Sequence, residues 1–247
     1  RIYRPVIWYL NPYLNDTDPS YISQGNSELD SEKSHAFNLS YSNFTQKFNI
    51  NLSARYSFTN NSIENVTKLM PDTEIEGLKN PTGKDVLYST YANIGKTRRA
   101  SVSAYVNWNA TPRTRIYMNM SGDYSYMEGS EGMRNDGWSL FAYGGAQQTL
   151  PHDWRISLNV FGQTPWIMLQ GKGSSFFDYG LSVNKSFLNK RLTLSAFASN
   201  FFKKYMDQSS TTEGSGFIRE SNYKYSRQRF GISVSYRIGE LKASVKK

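Results

Sequence analysis

Cysteine is absent from the 247 residues, which removes disulfide frameworks, thiolate zinc sites and cysteine nucleophiles. Apolar residues are scarce as well: they make up 38% of the chain, and the mean hydropathy is -0.61. No window of about 19 residues is apolar enough to cross a bilayer as a helix, so a helical membrane protein is excluded. Histidine occurs only twice, as His35 and His152. The start, Arg1-Ile2-Tyr3-Arg4-Pro5, lacks the basic, apolar and small-residue order of a signal peptide, so an export signal is expected upstream of Arg1.

Against these shortages stands an excess of aromatics, with 18 Tyr, 14 Phe and 5 Trp. A chain that is polar and aromatic together suits a wall with one face on lipid, one on water, and aromatic girdles at the two interfaces. The formal charge is +9, from 29 Lys and Arg against 20 Asp and Glu. These cations are scattered, with no long basic run, recognition helix or finger spacing, so no nucleic-acid partner is expected.

Alternation with period two recurs between turn signals along nearly the whole chain. Phe48, Ile50, Leu52, Ala54, Tyr56 and Phe58 fall on one face, opposite Asn49, Asn51, Ser53, Arg55 and Ser57. Val102, Ala104, Val106 and Trp108 repeat the pattern against Ser101, Ser103, Tyr105 and Asn107. So do Ile116, Met118 and Met120 against Tyr117, Asn119 and Ser121. The same holds for Trp154 to Val160, for Leu192 to Ala198 (with Thr193, Ser195, Phe197 and Ser199 opposite), and for Phe230 to Ile238. The polar faces are mostly Ser, Asn and Thr with an occasional Arg, which a water-filled or plugged lumen tolerates. Ile50 and Val234 are thereby assigned to the lipid side.

A sheet with one wet face alternates equally well, so alternation leaves both a barrel and a soluble sandwich open. Connection lengths separate them. Short connections at 42–46, 109–114, 150–153 and 188–190 take turns with longer polar ones at 71–85, 128–136, 171–175 and 211–216. Outer-membrane barrels show this asymmetry, with short periplasmic turns and longer external loops. The expectation is an all-β chain of about nine antiparallel transmembrane strands, at 33–42, 47–68, 86–109, 114–128, 136–149, 154–170, 175–187, 191–209 and 217–239. Several exceed the ~10 residues that a tilted strand needs to cross, so they are expected to continue outside the membrane, with Tyr91, Tyr124 and Tyr126 as an external girdle. Both the first and the last strand then run toward the periplasm. An odd strand count implies further strands upstream.

The first segment divides off at residue 32, leaving 33–247 as strands, loops and turns. Pro5, Pro12 and Pro19 remove donors and fix φ, so 1–32 reads as an ordered external loop folding over the rim. Gly25-Asn26 is expected to supply the positive φ of a tight turn.

Arg4-Pro5, Leu10-Asn11-Pro12, Asp18-Pro19, Gly25-Asn26 with Leu29, and Glu32 with His35 follow in a series. Asn93-Ile94-Gly95-Lys96, Thr149-Leu150-Pro151 before Trp154-Arg155, Gln170-Gly171-Lys172-Gly173-Ser174, Lys185-Ser186-Phe187-Leu188 and the closing Phe230 to Gly239 continue it. In this order they resemble the outer-membrane β-barrel family of Bacteroidota, a branch of the TonB-dependent receptors, over nearly the whole chain. The resemblance implies a portion of a larger barrel of about 22 strands with a plugged lumen. It implies residence in the outer membrane of a Gram-negative bacterium and uptake of a scarce siderophore, cofactor, glycan or peptide. The partners it implies are outer-membrane lipid, an N-terminal plug domain and TonB. No plug and no TonB-contacting segment is visible in this sequence.

Other chemistries find little support. His152-Asp153 lies in a short turn and His35 near the far end of a strand, so the two histidines are not expected to cooperate, and no nucleophile elbow is present. Two separated histidines make no metal cluster. Gly171-Lys172-Gly173-Ser174 lacks the spacing and the following helix of a phosphate loop. No catalytic, cofactor-binding or metal-ligating residue is assigned, no cofactor is expected, and no ligand-binding residue is singled out. The rival is a soluble carbohydrate-binding β-sandwich in which Trp8, Tyr9, Tyr13, Trp138 and Trp166 stack on sugar rings. Detergent-independent solubility would mark that module.

Overall fold

The computed structural model describes residues 1–238. The chain runs β1 (Ile2–Tyr3), a single-turn helix (Ile7–Leu10), β2 (Asn15–Asp18), β3 (Tyr21–Ser23), β4 (Glu32–Phe44), β5 (Phe48–Pro71), β6 (Asp85–Thr111), β7 (Thr114–Glu128), β8 (Arg134–Leu150), β9 (Trp154–Gln163), β10 (Ile167–Met168), β11 (Gly171–Lys172), β12 (Phe176–Phe187), β13 (Leu192–Ser199), β14 (Tyr205–Gly214), β15 (Phe217–Ser226) and β16 (Arg229–Tyr236). Nine of these, β4 to β9 with β12, β13 and β16, form one continuous antiparallel wall, and β1 adds to the β4 edge. The wall is an open sheet whose terminal strands, β4 with β1 and β16, do not pair with each other.

Register explains the alternation. One row crosses seven strands as Tyr41, Leu52, Ala104, Met120, Ala142, Gly162 and Phe177. Another runs Phe48, Trp108, Ile116, Ala146, Leu158, Leu181, Ala198 and Phe230. The wall is thus apolar on one face, and large side chains on it, such as Leu39, Val102, Ile232 and Val234, are exposed. Along β8, even positions from Arg134 to Ala142 are exposed while odd ones are half-buried. The crowded odd face is the concave side of a twisted sheet, so the apolar face is the convex one.

The long strands outrun their neighbours at one end. β6 extends to Asp85, yet β7 pairs with it only as far as Lys96, which leaves β6 an edge of about ten residues. The first segment covers it: β3 pairs in parallel with Leu87 to Ser89 of β6. Ile22 then buries against Ile75 and Val86, with Leu14, Met70, Leu78 and Tyr88 around them. At this same end β10, β11, β14 and β15 form a separate four-stranded sheet.

Three strand boundaries differ from expectation. The strand expected at 191–209 breaks after Ser199, where Asn200 takes φ 49 and the next strand starts only at Tyr205. The one expected at 217–239 breaks at 227–228, and the one expected at 154–170 leaves the wall after Gln163. The expected loop at 211–216 is a hairpin tip, with β14 ending at Gly214 and β15 beginning at Phe217. Gly239, at the end of the last expected strand, lies outside the described residues.

Candidate functional site

The concave face is polar, but not uniformly. Its row Ser40, Ser53, Ser103 and Ser121 meets Phe141 on β8, then Gln163 and Phe176. The adjacent row runs Asn51, Tyr105, Asn119, Tyr143, Phe161 and Asp178. The aromatics therefore gather on β7, β8, β9 and β12. Phe161 meets Phe141 edge-on at 5.3 Å between ring centroids, Phe176 at 4.8 Å and Tyr143 at 6.3 Å, and Tyr143 lies 5.7 Å from Tyr117. Tyr117 donates its hydroxyl to Asn159, and Arg115 sits over its ring.

Beside this ladder is a charged corner. Arg227 pairs with Asp178, whose other oxygen accepts from Asn200 Nδ2 at 2.8 Å. Asn200 also accepts the Tyr179 amide at 3.2 Å, so one buried side chain both ends β13 and fixes the ion pair. Asn tolerates the left-handed conformation required there. Asn159, Phe161, Asp178, Ser199, Arg227 and Arg229 line a cavity of about 280 Å³. A larger one of about 730 Å³ lies where Phe141, Gly162 and Phe176 of the wall face Lys203 and Met206 of the departing chain.

The hairpin β14–β15 leaves the wall next to β13 and β16 but is tied to β5, six strands from β13 along the sheet. The tie is Gln170, between β10 and β11. Its Nε2 donates to the Thr67 carbonyl at 2.9 Å, and its Oε1 accepts the Thr67 amide at 2.7 Å. Glu213 of the hairpin donates its amide to the Gln170 carbonyl at 2.8 Å. Arg219 lies 3.7 Å from the centroid of the Tyr21 ring, and Lys68 bonds Glu131 at 2.8 Å. The hairpin with β10 and β11 thus bridges the mouth on the concave side.

The residues of the first segment act as braces. Gly25 and Asn26 do not take positive φ, contrary to expectation. Glycine is required instead because a Cβ on Gly25 would collide with the carbonyls of Asn11 and Tyr9, which accept the Gly25 and Asn26 amides at 3.0 and 2.6 Å. Asn26 Nδ2 reaches the Tyr91 carbonyl at 3.0 Å, and Tyr9 stacks on Tyr91 at 4.1 Å. Tyr91 is therefore covered by the first segment rather than forming a girdle. Tyr124 does join the outer girdle, against Trp138 at 5.3 Å.

Asp18 accepts both the amide and the hydroxyl of Ser20, which holds its carboxyl below the usual range. Glu32 accepts the Ile63 amide at 2.6 Å. In the loop after β5, buried Asp72 accepts from Thr82 N, Thr82 Oγ1 and Gly83 N, and the Thr82 amide does most to lower its pKa. Glu64, beyond the bulge in β5, is pushed up by burial, against hydrogen bonds from Ser62 and Thr97. Gly95 belongs to that bulge, where a Cβ would strike Ser62 and Glu64.

His35 stacks on Phe58 at the long-loop end, while His152 lies in the short Pro151–Asp153 turn at the other. The five aromatics of the sugar-stacking alternative are scattered: Trp8 and Tyr13 stand exposed, Tyr9 stacks internally, Trp138 is on the convex face, and Trp166 covers Gly173. Sequence reasoning passed over Phe141, Tyr143, Phe161 and Phe176. The available signal was the alternation itself, since outward Leu140 and Val160 place Phe141 and Phe161 inward.

A convex apolar band, a polar concave face and long connections at one end are the features of a membrane wall. Residues 1–236 match the family described as Outer membrane protein beta-barrel family. The chain belongs to this family. Its place is the outer membrane, and lipid is the partner of its convex face. No curated protein matches the sequence. Family membership makes the long-loop end external and the short-turn end periplasmic, and the soluble sandwich alternative is set aside by the single wall with its exposed apolar face.

Proposed function

We propose that the chain is the C-terminal part of a TonB-dependent receptor that takes up a scarce ligand, of siderophore, cofactor, glycan or peptide type, and is not an enzyme. The observation that carries this reading is the aromatic ladder Phe141–Phe161–Phe176 on the lumen face, beside Asp178, Arg227 and Arg229 and near the mouth-bridging hairpin. A structural wall needs no such patch. A capture surface does: stacking faces and a charged corner, held on rigid strands, orient a ligand with little loss of conformational freedom. The bridge over the mouth supplies an external surface through which ligand must pass. In this reading the complete barrel has about 22 strands, with a plug in the lumen and TonB supplying energy from the periplasm.

Uptake tests this directly. Cells carrying the intact protein are offered labelled ferric siderophores, corrinoids, oligosaccharides and peptides, with and without dissipation of the proton-motive force. One class is expected to accumulate only when the protein is present and the membrane energised, and Phe161→Ala is expected to reduce that accumulation at unchanged amounts in the membrane. Uptake that survives de-energisation would make the protein a passive pore.

A further inference from the structure

We propose that the convex face, at its external rim over β4 to β8, carries a binding site for phosphate-bearing lipid headgroups. The register supplies the argument, which rests on the lipid-facing assignment and is independent of the uptake reading. The top aromatic row of the outward band is Phe37, Tyr56, Ala100, Tyr124 and Trp138. Immediately above it, on the same face, runs His35, Phe58, Arg98, Tyr126 and Asp136, and above that Lys96, Glu128 and Arg134. Lys33 lies two residues beyond His35 on this face of β4. Successive rows are about 7 Å apart along a strand and neighbouring strands about 4.8 Å apart. The cations thus stand within one or two rows of the aromatic collar, at the depth where headgroups replace acyl chains.

Their partners are few. Four cations, Lys33, Lys96, Arg98 and Arg134, face two carboxylates, Glu128 and Asp136. Asp136 is already occupied by the Tyr124 hydroxyl at 2.6 Å. Arg134 lies over the Tyr126 ring at 4.8 Å, while among the described residues Lys96 and Arg98 make no ion pair or side-chain hydrogen bond. The periplasmic rim of the same face shows what a self-contained cation looks like: Lys185 lies over Trp154 and Phe187 and donates to the His152 carbonyl. An open Arg and Lys pair flanked by aromatic rings matches a phosphate, which accepts forked hydrogen bonds from guanidinium while its acyl chains lie on the band below.

The test reconstitutes the intact protein in phosphatidylcholine vesicles containing diphosphorylated lipid A, or the same lipid after enzymatic removal of its phosphates. Lipid retained through detergent washing is counted by mass spectrometry. The phosphorylated form is expected to be retained and to raise the temperature at which the folded band is lost. The doubly substituted Lys96→Gln, Arg98→Gln protein should retain about tenfold less, and Lys96→Arg, Arg98→Lys, which keeps the charge, should retain most of it. Equal retention of the two lipids by the wild type, a comparison that needs no variant, would overturn the site. So would unchanged retention in the Gln variant, or displacement of the lipid by inorganic phosphate at equal concentration.

Discussion

The membrane wall and the external structure above it are built from one chain in two solvents, and their cores are reversed. Among the described residues every buried hydrophobic one, namely Ile22, Leu29, Val66, Ile75, Val86, Met127, Ile167, Leu169 and Met206, lies in the first segment, in a loop, in the external hairpin or at the outer end of a long strand. The crossing stretches bury none; their Leu39, Val102, Leu158 and Ile232 point outward and are exposed. Outside the bilayer, water drives Ile22, Ile75 and Val86 together. Within it, lipid takes the place of that core, and cohesion comes from ladder hydrogen bonds with no water to compete for them. The sensitive side chains are therefore the inward ones outside the membrane and the outward ones within it.

The largest effect is expected in the external core. Ile22→Ala leaves a cavity costing about 2–5 kcal/mol. It should free the first segment to proteolysis and hydrogen exchange, while the heat-resistant mobility of the barrel persists. Next comes the wall, where Ile50→Arg or Val234→Arg on the lipid face should cost about 2–4 kcal/mol near the midplane. That loss is read as folded yield in bilayers, and Asn51→Arg on the lumen face should cost much less. Equal yields for Ile50→Arg and Asn51→Arg would erase the distinction between faces.

Smaller and more local is the clasp. Gln170→Ala leaves the amide and carbonyl of buried Thr67 without partners, a cost of about 1–3 kcal/mol. Faster hydrogen exchange in β14 and β15, with the wall unchanged, is the expected result. Smallest is the pH response of the loop at 72–84. The folded pKa of Asp72 lies below its ordinary value of 3.8, so its carboxylate stabilises the loop above that pH and the contribution disappears as pH falls through the folded value. Loop amide exchange should accelerate in that acid range, and Asp72→Asn should remove the dependence.

How much was legible follows from the same contrast. Strict alternation along Phe48 to Phe58 and Val102 to Trp108 was readable because the two faces meet different solvents, so a slip of one residue would move every side chain to the wrong one. Six wall strands were readable from this alternation, and the other three, with the short turns, from the connections between them. The breaks at Asn200 and at 227–228 were hidden, because the chain keeps a strand-like pattern as it leaves the wall and only the multiple bonds of the Asn200 side chain, visible in three dimensions, end β13. Gly25 was recognisable as necessary, but its reason, the approach of the 9–11 backbone, depends on a contact that spacing alone does not show. The aromatic ladder was missed because Phe141 and Phe161 interrupt an inward face that otherwise reads as Ser and Asn.

The central claim is that alternate positions along each wall strand face lipid and water, the even ones facing lipid on β6 and β7, and the absence of cysteine makes it directly measurable. Single cysteines placed in turn at Val102, Ser103, Ala104 and Tyr105, and at Met118, Asn119, Met120 and Ser121, are labelled in intact outer membranes with a water-soluble and a lipid-soluble maleimide. The account predicts that 103, 105, 119 and 121 react with the water-soluble reagent and that 102, 104, 118 and 120 react only with the lipid-soluble one. Labelling of 102 and 104 from water as fast as 103 and 105 would contradict it.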